Sequence, residues 1–566
     1  MNYLRFVSTA ILLFGMAGQF SSCADPAARR KPSAPRFVIV LVIDQFRFDY
    51  SQRFAGYWQG GIGKLLREGA VFSNVHHEHA ITECAPGHAT LLTGAHPSRH
   101  GLVAERWFDR AQHAMIACAD DPAYTVLHSP TFADALDSNG GKSPLRLQAA
   151  TLGDWLKNHD GQAQVMSISG QAHAAISMGG QKPDAAFWFD AHTGEFVSSS
   201  YYMKQLPAWL LEWNSGRFAD HYRHAVWEKS LPEAAYFASR EDLFAHEADG
   251  IHTTFPHRLD ELGVDADTSF YPHLMSSPFG DFLTLEFAQA AIRAHALGQD
   301  NHPDLLCLSL SATEMIGRSF GPLSQEIQDH LLRLDSRLES FWAWLEANVG
   351  LQNCWIIFTS DHGVLPVPEE LRQRGFEAAR LNEEEVRQEI SSIVQELAAG
   401  SETQSDSLFA GPRNGIYVSH ATGPSATAGS SVNLQRLAEK LHSLSFVTKV
   451  YRGSDLPEVS EASADFIARF RNAYFPGRSP DLFLHRKPYY LLGGKDQYGT
   501  DHGSEFDYDT HVPLVFWGST FQAGSHAQRI STVDLAPTLA WALGISIAQQ
   551  VDGKVLKEAL KSPSNY

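Results

Sequence analysis

Phe37-Val38-Ile39-Val40-Leu41-Val42-Ile43, followed at once by Asp44, is the stretch on which the fold turns. The run is too short to cross a membrane and too unbroken for a strand with one wet face. Its β-branched content marks a strand buried on both sides. Leu305–Leu310, Trp355–Phe358 and Val512–Trp517 have the same character, each followed by helical patterning. Buried strands alternating with helices predict an α/β domain whose central, mostly parallel sheet is covered by helices. In such sheets ligands bind beyond the carboxyl ends of the strands. Asp44 falls there after the first run, Glu314 after the second, and Asp361 with His362 after the third. One Asp after a strand is commonly a helix cap; three strands ending in ligand-type side chains point to a site.

Outward from these segments, two inserts interrupt the pattern. Residues 188–278 are rich in Trp, Tyr, His and Phe with weak periodicity, and are expected to form an irregular cap. Residues 366–486 carry an amphipathic helix (Val386, Ile390, Ile393, Val394, Leu397) and then strand-like segments, with Glu383, Glu384 and Glu385 as the helix's solvated face. The domain is expected to span residues 36–545, with 546–566 as a tail. The chain has 566 residues, 44% hydrophobic and 19% charged, the balance of a globular protein. A net charge of −19 argues against a nucleic-acid surface, which needs a basic footprint. An anionic substrate must then be held locally, by metal or helix N-termini.

The first residues read as an export signal: Arg5, an apolar stretch from Phe6 to Met16, then Ser21 and Ser22 before Cys23. Residues 1–22 are the expected signal peptide, Cys23 a lipoprotein attachment point and 24–35 a tether. This predicts a periplasmic or outer-membrane-anchored protein that meets a membrane only through that lipid. Cys84, Cys118, Cys307 and Cys354 are too dispersed for a disulfide framework. Cys307 and Cys354 lie in strand-like runs, where inert buried thiols are expected.

Ordered motifs then identify a relationship. Val42-Ile43-Asp44-Gln45-Phe46-Arg47 resembles the first metal-ligand segment of single-chain bacterial alkaline phosphatases near the type I phosphodiesterase/nucleotide pyrophosphatase group. Ala85-Pro86-Gly87-His88, Ser360-Asp361-His362-Gly363 and Tyr508-Asp509-Thr510-His511-Val512-Pro513 match further segments in order. The resemblance implies the alkaline phosphatase superfamily fold, two zinc sites and a nucleophile shared between them. Asp44, Asp361 and His362 match one zinc site. At the other, His511 matches the distant histidine and Glu314 stands for an Asp. Arg318, however, replaces a histidine and cannot ligate, because a guanidinium has no lone pair to give. One zinc is therefore expected, with the second site weak or empty. Arg318 then either supplies a fixed positive charge to a transferring group or pairs with Glu314.

Other positions depart as well. Cys84 stands where the family has Thr or Ser, at a helix start that favours a thiolate. Sulfatases and phosphonate hydrolases of this superfamily oxidise a Cys here, but their Arg is replaced by His88; the Thr82 hydroxyl could act only after a register shift, which the spacing to Pro86 argues against. Glu105 replaces an Asn, and Gln171-Ala172-His173 replaces the Lys-x-Arg of phosphomonoesterases, so the substrate-contact positions Glu105, Gln171 and His173 favour a less charged ester. The expected activity is hydrolysis of a small-molecule phosphate or sulfate ester through Cys84 or its oxidised form, with His511 as leaving-group acid. The alternative is a non-catalytic, metal-holding binding protein on the same fold.

Overall fold

Burial of the Phe37–Ile43 run on both faces organises the molecule. The computed structural model describes residues 35–132, 140–247, 251–261, 266–398, 408–410, 415–418, 433–460, 466–493 and 499–561. The signal segment, Cys23 and the tether up to residue 34 lie outside the described residues. Strand β1 (Phe37–Ile43) is wholly buried and pairs in parallel with two others. In chain order the further elements are β2 (Ala70–His76), helix α1 (Cys84–Thr93), β3 (Val126–Leu127), β4 (Val165–Ser169), β5 (Ala185–Asp190) and β6 (Glu195–Ser199). After them come β7 (Asp304–Leu310), α2 (Ala312–Phe320), α3 (Gln325–Asn348), β8 (Cys354–Thr359), β9 (His511–Trp517), β10 (Gly524–His526) and β11 (Ile530–Ser531). They form one sheet in the order β10-β2-β9-β8-β1-β7-β4-β5-β6-β3, with β11 also on β2.

The central pairs β8–β1, β1–β7, β7–β4 and β4–β5 are all parallel, as the strand pattern predicts. Alternation along β1 divides the core in two. Phe37, Ile39, Leu41 and Ile43 pack into a layer with α3 and helix Pro278–His295, whereas Val38, Val40 and Val42 pack with Leu91 and Leu92 of α1. Each such fully buried side chain contributes roughly 1.5–3 kcal/mol.

One strand runs against expectation. The Val512–Trp517 run lies in β9, which is antiparallel to both β8 and β2. A buried apolar run carries no direction, and β8 and β9 are joined through the whole second insert rather than by one crossover helix. Because β9 is reversed, its first residues lie beside the last residues of β8.

The first insert starts within the sheet. Trp188 belongs to β5, and β6 extends the same sheet; beyond them Trp227 and Tyr236 hydrogen bond to Asp329 of α3 at 2.7 and 2.6 Å. The second insert makes a four-stranded sheet of Leu408–Ala410, Gly415–Val418, Val447–Arg452 and Leu482–Arg486. The predicted amphipathic helix forms at Glu383–Ala398, and Val386, Ile390 and Val394 join its separate hydrophobic cluster. Residue 545 is no structural break: Leu556, Ala559 and Leu560 are buried in the main core. Cys307 and Cys354 are buried in β7 and β8, and the four described cysteines are free.

Candidate active site

The carboxyl ends of the parallel strands and two helix starts deliver the side chains. Asp44 follows β1, Asp361 and His362 follow β8, Glu314 lies in the first turn of α2 beyond β7, and Cys84 opens α1. All five are buried. Asp44 accepts hydrogen bonds from the Ser309 hydroxyl at 2.9 and 3.1 Å and from that of Ser311 at 2.8 Å. Gln45 has φ 64°, a left-handed conformation uncommon for a residue with a Cβ. That turn aims its N–H at Asp361 Oδ1, 3.0 Å away, and ties the ends of β1 and β8 together. Gly87 lets α1 approach: a Cβ there would lie 2.2 Å from the Asp361 carbonyl oxygen.

Three groups of potential ligand atoms result, each with its atoms within 4.8 Å of one another: Asp44, His88 and Asp361; Cys84, Glu314, His362 and His502; Cys84, Glu105 and His173. His362 links the first two, with Nε2 3.3 Å from Asp361 Oδ2 and 3.2 Å from Cys84 Sγ. His88 Nε2 lies 3.2 Å from Asp44 Oδ1 and its Nδ1 3.4 Å from Asp361 Oδ2. Burial pulls the His88 imidazole down, but Asp44 and Asp361 outweigh it and hold it up at about 9. Burial and the Asp44 charge raise the Asp361 carboxyl. His88 Nε2 and Asp361 Oδ2 are buried without a hydrogen bond. Such atoms are costly unless satisfied, and this oxygen, nitrogen and sulfur donor set fits divalent zinc.

The sequence reading misses His502. Its ring stacks on His362 at 3.8 Å, Nε2 lies 3.2 Å from Glu314 Oε1, and Nδ1 lies 3.0 Å from the Thr82 carbonyl oxygen. The signal was present: Thr500-Asp501-His502-Gly503 repeats the pattern of Ser360-Asp361-His362-Gly363. His511, assigned both ligand and acid roles, is not in any of these groups. It starts β9 opposite His76, stacks on His76 and Phe48 at 4.5 and 4.4 Å, and its Nε2 bonds the Ser73 carbonyl at 2.9 Å. Its ring therefore serves packing at the start of β9, beside a cleft of about 530 Å³ that Phe466, Tyr489 and Tyr508 also line.

Other positions sharpen the picture. The Thr82 hydroxyl donates to the Ser504 carbonyl at 2.7 Å, which makes it a strut for the His502 loop and not a second nucleophile. The predicted thiolate at Cys84 needs more than a helix start. Burial and the carboxylates of Glu314, Glu105, Asp361 and Asp44 push this thiol well above its ordinary range. Arg318 is partly exposed, 3.7 Å from Glu314 and 3.6 Å from Asp501, and these anions keep it charged. Gln171 Nε2 donates to Glu314 Oε2 at 2.7 Å, so this residue orients a candidate ligand. Glu105 accepts from the Cys84 N–H at 3.3 Å, and His173 Nε2 lies 4.0 Å from its carboxylate.

Residues 38–509 match the type I phosphodiesterase / nucleotide pyrophosphatase family. The chain belongs to it. It is 29% identical to alkaline phosphatase PhoV of Synechococcus elongatus, over 97% of this chain and 99% of that one. It is 31% identical to a Myroides odoratus protein named calcium-transporting ATPase, over 99% of this chain and all of that one. The crystal structure of alkaline phosphatase PafA superposes with a TM-score of 0.84 at 28% identity, covering 93% of this chain and 99% of PafA. The sheet and its helices are therefore of the alkaline phosphatase type, and the protein is an enzyme of the phosphoester hydrolase superfamily.

Proposed function

We propose a metal-dependent hydrolase of small phosphoric esters that works through a covalent intermediate on Cys84. The observation that carries this is a pair of donor groups, Asp44–His88–Asp361 and Cys84–Glu314–His362–His502, linked by His362, the second of which includes the thiol at the start of α1. A divalent cation bound there would supply Lewis-acid polarisation and lower the thiol pKa. Cys84 Sγ is positioned to form a bond to phosphorus as the bond to the leaving oxygen breaks. The thiol proton leaves with the alcohol, and water then cleaves the S–P bond to regenerate Cys84 and release phosphate or its monoester. Arg318, at the exposed side of this centre, supports the developing charge on the transferring group. A second cation is favoured because Cys84, Glu314, His362 and His502 bring four ligand atoms together, although Arg318 adds none.

Gln171 and His173 stand where the Lys and Arg of phosphomonoesterases would be, and Glu105 where an Asn would be, which favours a phosphodiester over a phosphomonoester. The N-terminal pattern ending at Cys23 supports an exported, lipid-anchored enzyme. The test is hydrolysis of matched aryl phosphate, phosphodiester, phosphonate and sulfate esters by zinc-loaded protein beside Cys84→Ala. Diester turnover that falls at least about 10³-fold in the variant is the expected result. Equal rates for the two proteins on every ester would overturn the role of Cys84.

A further inference from the structure

The third donor group shares Cys84 with the second, but its other two donors, Glu105 and His173, are partly exposed. We propose that Glu105 and His173, with the Cys84 thiol, hold an additional divalent cation at the mouth of the site, a position charged by a bound metal instead of by basic side chains. The geometry is the first argument. The three donor atoms lie within 4.8 Å of one another. Ligand atoms on a shared zinc stand roughly 3–4 Å apart, given bonds of about 2.0–2.3 Å, so a sub-ångström adjustment brings all three to one ion. They sit on three different supports: the start of α1, the approach to strand Arg106–Asp109, and the first turn of helix Ala172–Gly179. A cation there would tie the helix carrying His173 to the two segments that the Cys84–Glu105 hydrogen bond already joins.

The second argument is an unsatisfied atom. His173 Nε2 is buried and makes no hydrogen bond, although its ring is aimed at Glu105 from 4.0 Å. That distance is too long for a hydrogen bond and right for two ligands with an ion between them. The third argument is charge. The Glu105 carboxylate receives the Cys84 N–H at 3.3 Å, at the helix N-terminus where a substrate oxyanion would otherwise be received. A carboxylate in that position repels a phosphate ester. With a cation on Glu105 and His173, the same carboxylate becomes part of a positive platform for the substrate's non-bridging oxygens. The proposal shares Cys84 with the reading above but is tested by binding alone.

Metal-free full-length protein is titrated with Co²⁺. Bound metal per chain is counted by equilibrium dialysis, and the thiolate-to-cobalt charge-transfer band is followed in the same samples. Glu105→Gln and His173→Gln are each expected to bind one equivalent fewer than the unaltered protein. His173→Asp, which restores a ligand, is expected to recover that equivalent. Matching metal-free melting temperatures show that the variants fold, and His173, at a partly exposed helix start, is the safer substitution. The same stoichiometry in His173→Gln as in the unaltered protein overturns the proposal, whatever the hydrolysis assays show. Conversely, loss of one equivalent with no ester turned over would uphold the cation and sink the hydrolase reading.

Discussion

Two histidines nine positions apart show what single residues decide here. His502 stacks on His362 beside Glu314, whereas His511 spends its ring on Ser73, His76 and Phe48. His502→Ala is therefore expected to lower kcat/KM for the preferred ester by about 10²-fold or more and to reduce zinc bound per chain. His511→Ala should leave kcat/KM within a few-fold, and the reverse ranking would return His511 to the chemistry. Much of the site was legible from residue types alone. Asp44, Glu314, Asp361 and His362 each follow a readable strand, and Cys84 precedes a helix. His502 was not, because it comes from a loop after the second insert and no strand points to it. The His511-Val512-Pro513 segment, next to a clear strand, drew the assignment instead. The ionisation of Cys84 was equally hidden: helix starts are visible in sequence, but the four carboxylates gathered around one thiol are a tertiary fact.

Elements set the distances that these residues need. Helix α1 can bring Cys84 to His362 only because Gly87 has no Cβ to strike the Asp361 carbonyl. Gly87→Ala is expected to destabilise the protein by about 1–3 kcal/mol through overpacking and to weaken zinc binding, read by denaturant melts and competitive chelation. A wild-type affinity in that variant would show that α1 can shift without consequence. At the end of β5, burial pushes the Asp190 carboxyl up, but hydrogen bonds from His128, the His192 N–H and the Thr193 hydroxyl hold it at about 2. Its unfolded value is near 3.9, so the folded state favours the carboxylate. This contribution is full above about pH 4 and disappears as the pH falls towards 2. Asp190→Asn should lose about 2–3 kcal/mol at pH 7 and converge with the parent near pH 2, in melts across that range. Constant destabilisation at every pH would mean that packing, not charge, is what Asp190 supplies. The same scale explains the misread direction of β9: apolar runs reveal burial, while direction depends on connections that pass through an insert.

The whole molecule joins a readable sheet to a site drawn from its full length. The central strands were legible because burial on both faces leaves unbroken apolar runs; the small sheet of the second insert was legible only as strand-like segments, because strands of three to six residues carry too little pattern to place in a sheet. Zinc removal should act globally, since a ligand binding only the folded chain stabilises it by mass action, about 4 kcal/mol at a thousandfold excess over Kd. Chelator-treated protein is expected to melt several degrees lower and to recover with added zinc; an unchanged melting temperature would sink metal as a structural partner. Finally, the donors are scattered along the chain at Asp44, Cys84, Glu314, Asp361, His362 and His502, and β9 enters the sheet between β2 and β8 only after the second insert. A ribosome making this protein must therefore have released nearly the whole polypeptide before the pocket can close. Nascent or prematurely ended chains cannot assemble the complete ligand set, so maturation is gated by completion of synthesis.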